Sequence, residues 1–118
     1  MVLSITPSST TSRIYAIATF GTLLNTASNV GSGGQRIRIY RTISGSSETY
    51  LAQTAVGTRE ANGFNDYVEG ASSISVMDSP STTNSCSYRI KIASNHSSTN
   101  IQVPAGEHGV LTLMEIAQ

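Results

Sequence analysis

Few residues in this chain could do chemistry. Its carboxylates are Glu48, Glu60, Asp66, Glu69, Asp78, Glu107 and Glu115, its histidines are His96 and His108, and Cys86 is its one cysteine. Glycoside hydrolysis needs two carboxylates facing one cleft. Only Asp66 and Glu69 lie close enough in sequence to suggest such a pair, and two solvated loop charges are the stronger reading. Neither histidine belongs to a set of His, Cys or carboxylate groups at metal-ligand spacing. A single cysteine permits neither an intrachain disulfide nor a Cys-based zinc site. Serine is so frequent that its presence says nothing about a nucleophile, and no Gly-x-Ser-x-Gly elbow occurs. The Gly-rich "GSGGQR" (31–36) opens a strand, whereas a phosphate cradle must open a helix bearing Lys and Ser or Thr. The expectation is therefore no enzyme, no catalytic or metal-binding residue and no cofactor. "NHS" (95–97) matches the glycosylation sequon, but without a secretion signal it reads as chance.

One constellation carries more. Arg36, Arg38, Arg89 and Lys91 all fall on the polar positions of two strongly alternating segments. The ordinary reading is a solvated sheet face. The alternative is a patch that recognises acidic sugars or a partner subunit. Tyr15 and Tyr40 also fall on outward positions, and flat aromatic rings beside polar groups suit sugar binding.

The elements that must hold these residues are strands. "SRIYAIATFG" (12–21) alternates Ile14, Ala16, Ala18 and Phe20 with Tyr15, Ile17 and Thr19. "QRIRIYRTI" (35–43) sets Ile37 and Ile39 against Arg36, Arg38 and Tyr40, and "SYRIKIAS" (87–94) sets Tyr88, Ile90 and Ile92 against Arg89 and Lys91. Period two with one apolar and one polar face is the mark of antiparallel sheets. Weaker strand signals cover 2–6, 49–56, 72–77 and 100–103, and a last strand covers 110–117. Clusters rich in Ser, Asn, Gly and Pro separate them. The stretch 56–70 reads as a long loop with at most one helical turn, and no window carries a helical stripe. The reading is all-β, a single domain over 1–118, with about eight short antiparallel strands in a β-sandwich or jelly roll.

Composition narrows the partners. The chain has 118 residues, a formal net charge of zero and 12% charged residues, about half the roughly 25% of ordinary soluble domains. There is no basic excess to hold a phosphate backbone, so nucleic acid and anionic membrane are not expected partners. Ser and Thr make up more than a quarter of the chain and supply its polarity instead. No apolar run approaches the roughly 20 residues of a membrane span, and no signal-peptide pattern opens the sequence. A small domain with no disulfide or metal staple often relies on oligomerisation.

"SITPSSTTSRIYAIA" (4–18), "SVMDSPSTTNSCSYRIKIAS" (75–94) and "GVLTLMEIAQ" (109–118), in that order, resemble a domain at the C-terminal end of virion structural proteins from tailed bacteriophages, especially marine ones. The resemblance spans most of the chain. It implies a jelly roll similar in outline to the C1q and tumour-necrosis-factor heads, assembled as a homotrimer and carried on the virion surface, made in the host cytoplasm. Members usually have one more strand before the "ITPSS" segment. The implied function is a tail-fibre tip that binds a host receptor or surface glycan. The alternative is a capsid decoration protein, a head knob or cement, whose partners are other virion proteins. Recognition would then use exposed loops, with Asn62, Phe64, Asn65, Asp66, Tyr67, Asn95, His96 and Asn100 as candidates.

The last strand bears on assembly. Period two groups Val110, Thr112, Met114 and Ile116 on one face and Leu111, Leu113 and Glu115 on the other. Both faces are largely apolar, which invites association. In heads of the resembled kind this strand lies near the threefold axis. That implies Val110, Met114 and Ile116 in the core and Leu111, Leu113 and Glu115 at the trimer interface, with Glu115 meeting an arginine of another subunit. The reverse assignment stays open, because the period fixes the grouping and not its direction.

Overall fold

The computed structural model describes residues 1–27, 35–56, 66–94, 100–102 and 109–117. All regular structure among them is β-strand: β1 (Val2–Ile5), β2 (Arg13–Ala27), β3 (Gln35–Ile43), β4 (Thr49–Val56), β5 (Asp66–Asp78), β6 (Cys86–Ser94), β7 (Asn100–Gln102) and β8 (Gly109–Ile116). They form two antiparallel sheets packed face to face. The first has the order β1-β6-β3-β4. In the second the long β2 pairs with β5 along one edge and with β8 and the short β7 along the other, β8 against 13–20 and β7 against 24–26.

The pairings are nested: β3 with β4, β2 with β5, β1 with β6. A turn at the centre of this nest closes β3 onto β4. Gly45 takes φ +79 there, a left-handed conformation costly for a residue with a Cβ, and Ser46 N–H donates to the Ile43 carbonyl at 2.9 Å.

Alternation explains which side each strand buries. Ile14, Ala16, Ala18 and Phe20 of β2 and Ile74 of β5 meet Ile37 and Ile39 of β3 and Cys86, Tyr88 and Ile90 of β6 in one core. Each large apolar side chain buried this way contributes about 1.5–3 kcal/mol. Arg41 continues the inward row of Ile37 and Ile39, and its charge is met inside. Arg41 NH1 donates to Asp78 Oδ1 and Oδ2 at 2.7 and 2.8 Å, and Tyr88 OH donates to Asp78 Oδ2 at 2.7 Å. Arg41 and Tyr88 are register partners in one sheet and Asp78 ends β5 in the other, so this cluster clips the two layers together.

Two expectations are corrected. Residues 66–70 are strand rather than loop. A bulge in β2 between Phe20 and Leu23 lets that strand run on to Ala27, where it pairs with 66–70 of β5. In β8 the faces are reversed. Leu111 and Leu113 pack against the core, while Val110, Met114 and Ile116 stand on the outer surface. Leu111 and Leu113 lie opposite Ala18 and Ala16, which are fully buried, so the inward face of β2 fixes the direction that period two leaves open.

Candidate functional site

The sandwich presents two outer faces of opposite chemistry. On the β5-β2-β8 sheet the outward row of β2 is Arg13, Tyr15, Ile17 and Thr19. Tyr15 lies between Met77 of β5 and Met114 of β8, Ile17 between Ser75 and Thr112, and Thr19 between Ser73 and Val110. Val110, Met114, Met77 and Ile116 are 56%, 47%, 45% and 42% exposed. Along 13–19 of β2, 73–77 of β5 and 110–116 of β8, Arg13 at one end is the charged outward residue. These exposed apolar side chains share the face with Thr19, Ser73, Ser75 and Thr112.

Glu115 belongs to the inward set of β8, and one of its oxygens is held within the chain. Ser8 donates to Glu115 Oε1 from its backbone N–H at 2.7 Å and from its hydroxyl at 2.6 Å. The Ser12 hydroxyl beside it, short of hydrogen-bond geometry, is the largest influence on the carboxyl, followed by Ser8, and together they hold it below the ordinary glutamate value.

The face of the β1-β6-β3-β4 sheet is cationic and aromatic. Arg38 of β3 stands directly opposite Lys91 of β6, and Tyr40 opposite Arg89. Glu48, just before β4, takes the Lys91 ammonium as an ion-pair partner and lies 3.7 Å from Arg89 NH1. Arg38 Nε donates to Gln53 Oε1 at 2.8 Å. The Lys91 ammonium sits 4.5 Å from the centre of the Tyr40 ring, and Tyr40 meets Tyr50 edge to face at 5.7 Å and 67°. Tyr50 remains 54% exposed. The sequence marks Arg36, Arg38, Arg89, Lys91 and Tyr40 for this face, and the register brings them together. It does not mark Tyr50, Gln53 or Glu48.

Of the expected recognition residues, Asn62, Phe64, Asn65, Asn95 and His96 lie outside the described residues, as does His108. Asp66 and Tyr67 belong to β5, paired in register with Ala27 and Thr26, and Asn100 belongs to β7, paired with Thr26. These three are therefore strand residues. Among the described residues no group of three or more His, Cys, Asp or Glu side chains could hold a metal ion. Burial raises the pKa of Cys86, which leaves its thiol protonated and weakly nucleophilic. Burial also raises the pKa of Tyr88, assisted by its bond to Asp78. No helix among the described residues is long and apolar enough to cross a membrane.

Comparison of the chain with protein-family models, with curated proteins and with solved structures finds no match.

Proposed function

We propose that this chain is a bacteriophage virion protein: a jelly-roll knob of about eight strands that assembles as a homotrimer and forms a tail-fibre tip for binding the host surface. The observation that carries the reading is the apolar outer face of β5-β2-β8. Tyr15, Ile17, Met77, Val110, Met114 and Ile116 form a surface that a lone domain would leave in water. Burying it between subunits removes that cost, at roughly 25 cal/mol for each Å² of apolar area. A closed three-subunit arrangement buries the same face on each copy.

The nested pairing of β1 to β6 supports the jelly-roll assignment, because a long hairpin wound into two sheets gives this strand order. The edge of β8 away from β2 pairs with no described strand. That leaves room for the additional strand carried by the phage domains the sequence resembles.

Immunogold labelling of virions that contain the protein tests the assignment. The reading expects label at the ends of tail fibres. Label over the head would replace the receptor role with capsid decoration, and particles without label would remove both.

A further inference from the structure

We propose that the outer face of the β1-β6-β3-β4 sheet binds a carboxylated polysaccharide, with the Tyr50 ring as its stacking platform and Arg36, Arg38 and Arg89 as its cationic contacts. The biological role of this site rests on the host-binding reading above; the binding itself does not.

Three observations carry it. First, like charges directly across a strand pair are destabilising, yet Arg38 faces Lys91. Glu48 relieves Lys91 and approaches Arg89, whereas Arg38 is answered by the neutral Gln53. Among the described residues no carboxylate stands within ion-pair distance of Arg36 or Arg38. A fold seeking only solubility would alternate the signs. This arrangement keeps guanidinium groups available, and their planar forks match carboxylates.

Second, the face is aromatic as well as cationic. Lys91 occupies the Tyr40 ring and Tyr40 supports Tyr50 edge to face, so Tyr50 is held in place while 54% exposed. A rigid exposed ring gives the apolar C–H face of a sugar a surface at little entropic cost. Charge alone would need no such ring.

Third, the cations are partly neutralised by Glu48. Outward residues along a strand recur every ~6.8 Å, and Glu48 lies among them. That suits about one charge per sugar unit better than the dense charge of a sulfated chain. The part of the other sheet's outer surface formed by 13–19, 73–77 and 110–116 carries no carboxylate, so that part of a second copy does not complement the face.

The test is calorimetric titration of the purified protein with polygalacturonate, neutral dextran, dextran sulfate and oligothymidylate. The proposal expects salt-sensitive binding of polygalacturonate and none of dextran. Tyr50→Ala and Arg38→Gln should each weaken that binding about fivefold or more, with circular dichroism and cooperative unfolding showing the fold intact. Met77→Ala on the opposite face should leave it unaltered. Undiminished binding by Tyr50→Ala would reduce the site to ionic attraction and overturn the proposal. Equal or tighter binding of dextran sulfate or oligothymidylate, or no binding of polygalacturonate, would overturn it too. A label on the phage head would end the receptor reading without touching these titrations.

Discussion

Ser8 and Glu115 join the two ends of the fold. Both hydrogen bonds from Ser8, one from its backbone and one from its hydroxyl, end on the same oxygen, Glu115 Oε1, across 107 positions of sequence. Ser8 follows the buried Pro7 in the segment that carries the chain from β1 in one sheet to β2 in the other, and Glu115 lies near the end of β8. The contact ties that crossing to the strand whose outer face exposes Val110, Met114 and Ile116.

This contact predicts an acid sensitivity. The folded-state pKa of Glu115 is lowered, so its contribution is complete above the ordinary glutamate value. It is lost as pH falls through the lowered folded value. Glu115→Gln should be less stable than the natural protein at neutral pH, and the two should converge on acidification. Thermal unfolding across a pH series measures this. A gap that stays constant down to strongly acid pH would show that the carboxylate charge plays no part.

The buried cluster of Arg41, Asp78 and Tyr88 predicts a larger effect. Side chains of Arg41 and Asp78 are only 14% and 7% exposed. Removing one member of a buried pair strands the other and costs about 3–5 kcal/mol. Asp78→Ala should therefore lower denaturant stability by about that much. Tyr88→Phe, which removes one hydrogen bond to a charged acceptor, should cost about 1.5–3 kcal/mol. Losses below about 1 kcal/mol in both variants would mean that solvent reaches the cluster.

Gly109 is closely packed where β8 begins. A Cβ there would stand 2.5 Å from Met1 Cε and 2.9 Å from two ring carbons of Phe20. The methionine end can swing aside, but the buried Phe20 ring has less freedom. Gly109→Ala should cost about 1–3 kcal/mol as overpacking. Chemical denaturation measures it, and an unchanged midpoint would show that the ring yields freely.

Much of the fold is legible from period two alone. β3 and β4 occupy 35–43 and 49–56, the ranges the alternation predicts. Arg36, Arg38, Arg89 and Lys91 share an outer face because their strands pair in register. Two features resist this kind of reading. Leu51 forms a bulge opposite the step from Ile39 to Tyr40, so Ala52 faces inward with Ile39 while Tyr50 faces outward with Tyr40. Simple alternation puts Tyr50 and Ala52 on one side and hides the aromatic platform. The direction of β8 is equally hidden, since both its faces are apolar and only the packing of Leu111 and Leu113 against the core decides between them. Arg41 was readable, sharing the parity of Ile37 and Ile39. Its acceptor, Asp78, lies in another sheet and is found only through the fold.

The most direct test of the account is the mass of the assembly in solution. Multi-angle light scattering at micromolar concentration should give three times the 12.4 kDa chain mass. Met114→Asp places a charge on the exposed apolar face and should give a folded monomer, with far-ultraviolet circular dichroism and thermal unfolding showing an intact sandwich. A natural protein that runs as a stable monomer, or a Met114→Asp variant that stays trimeric, would contradict the claim that the outer face of β5-β2-β8 joins the subunits.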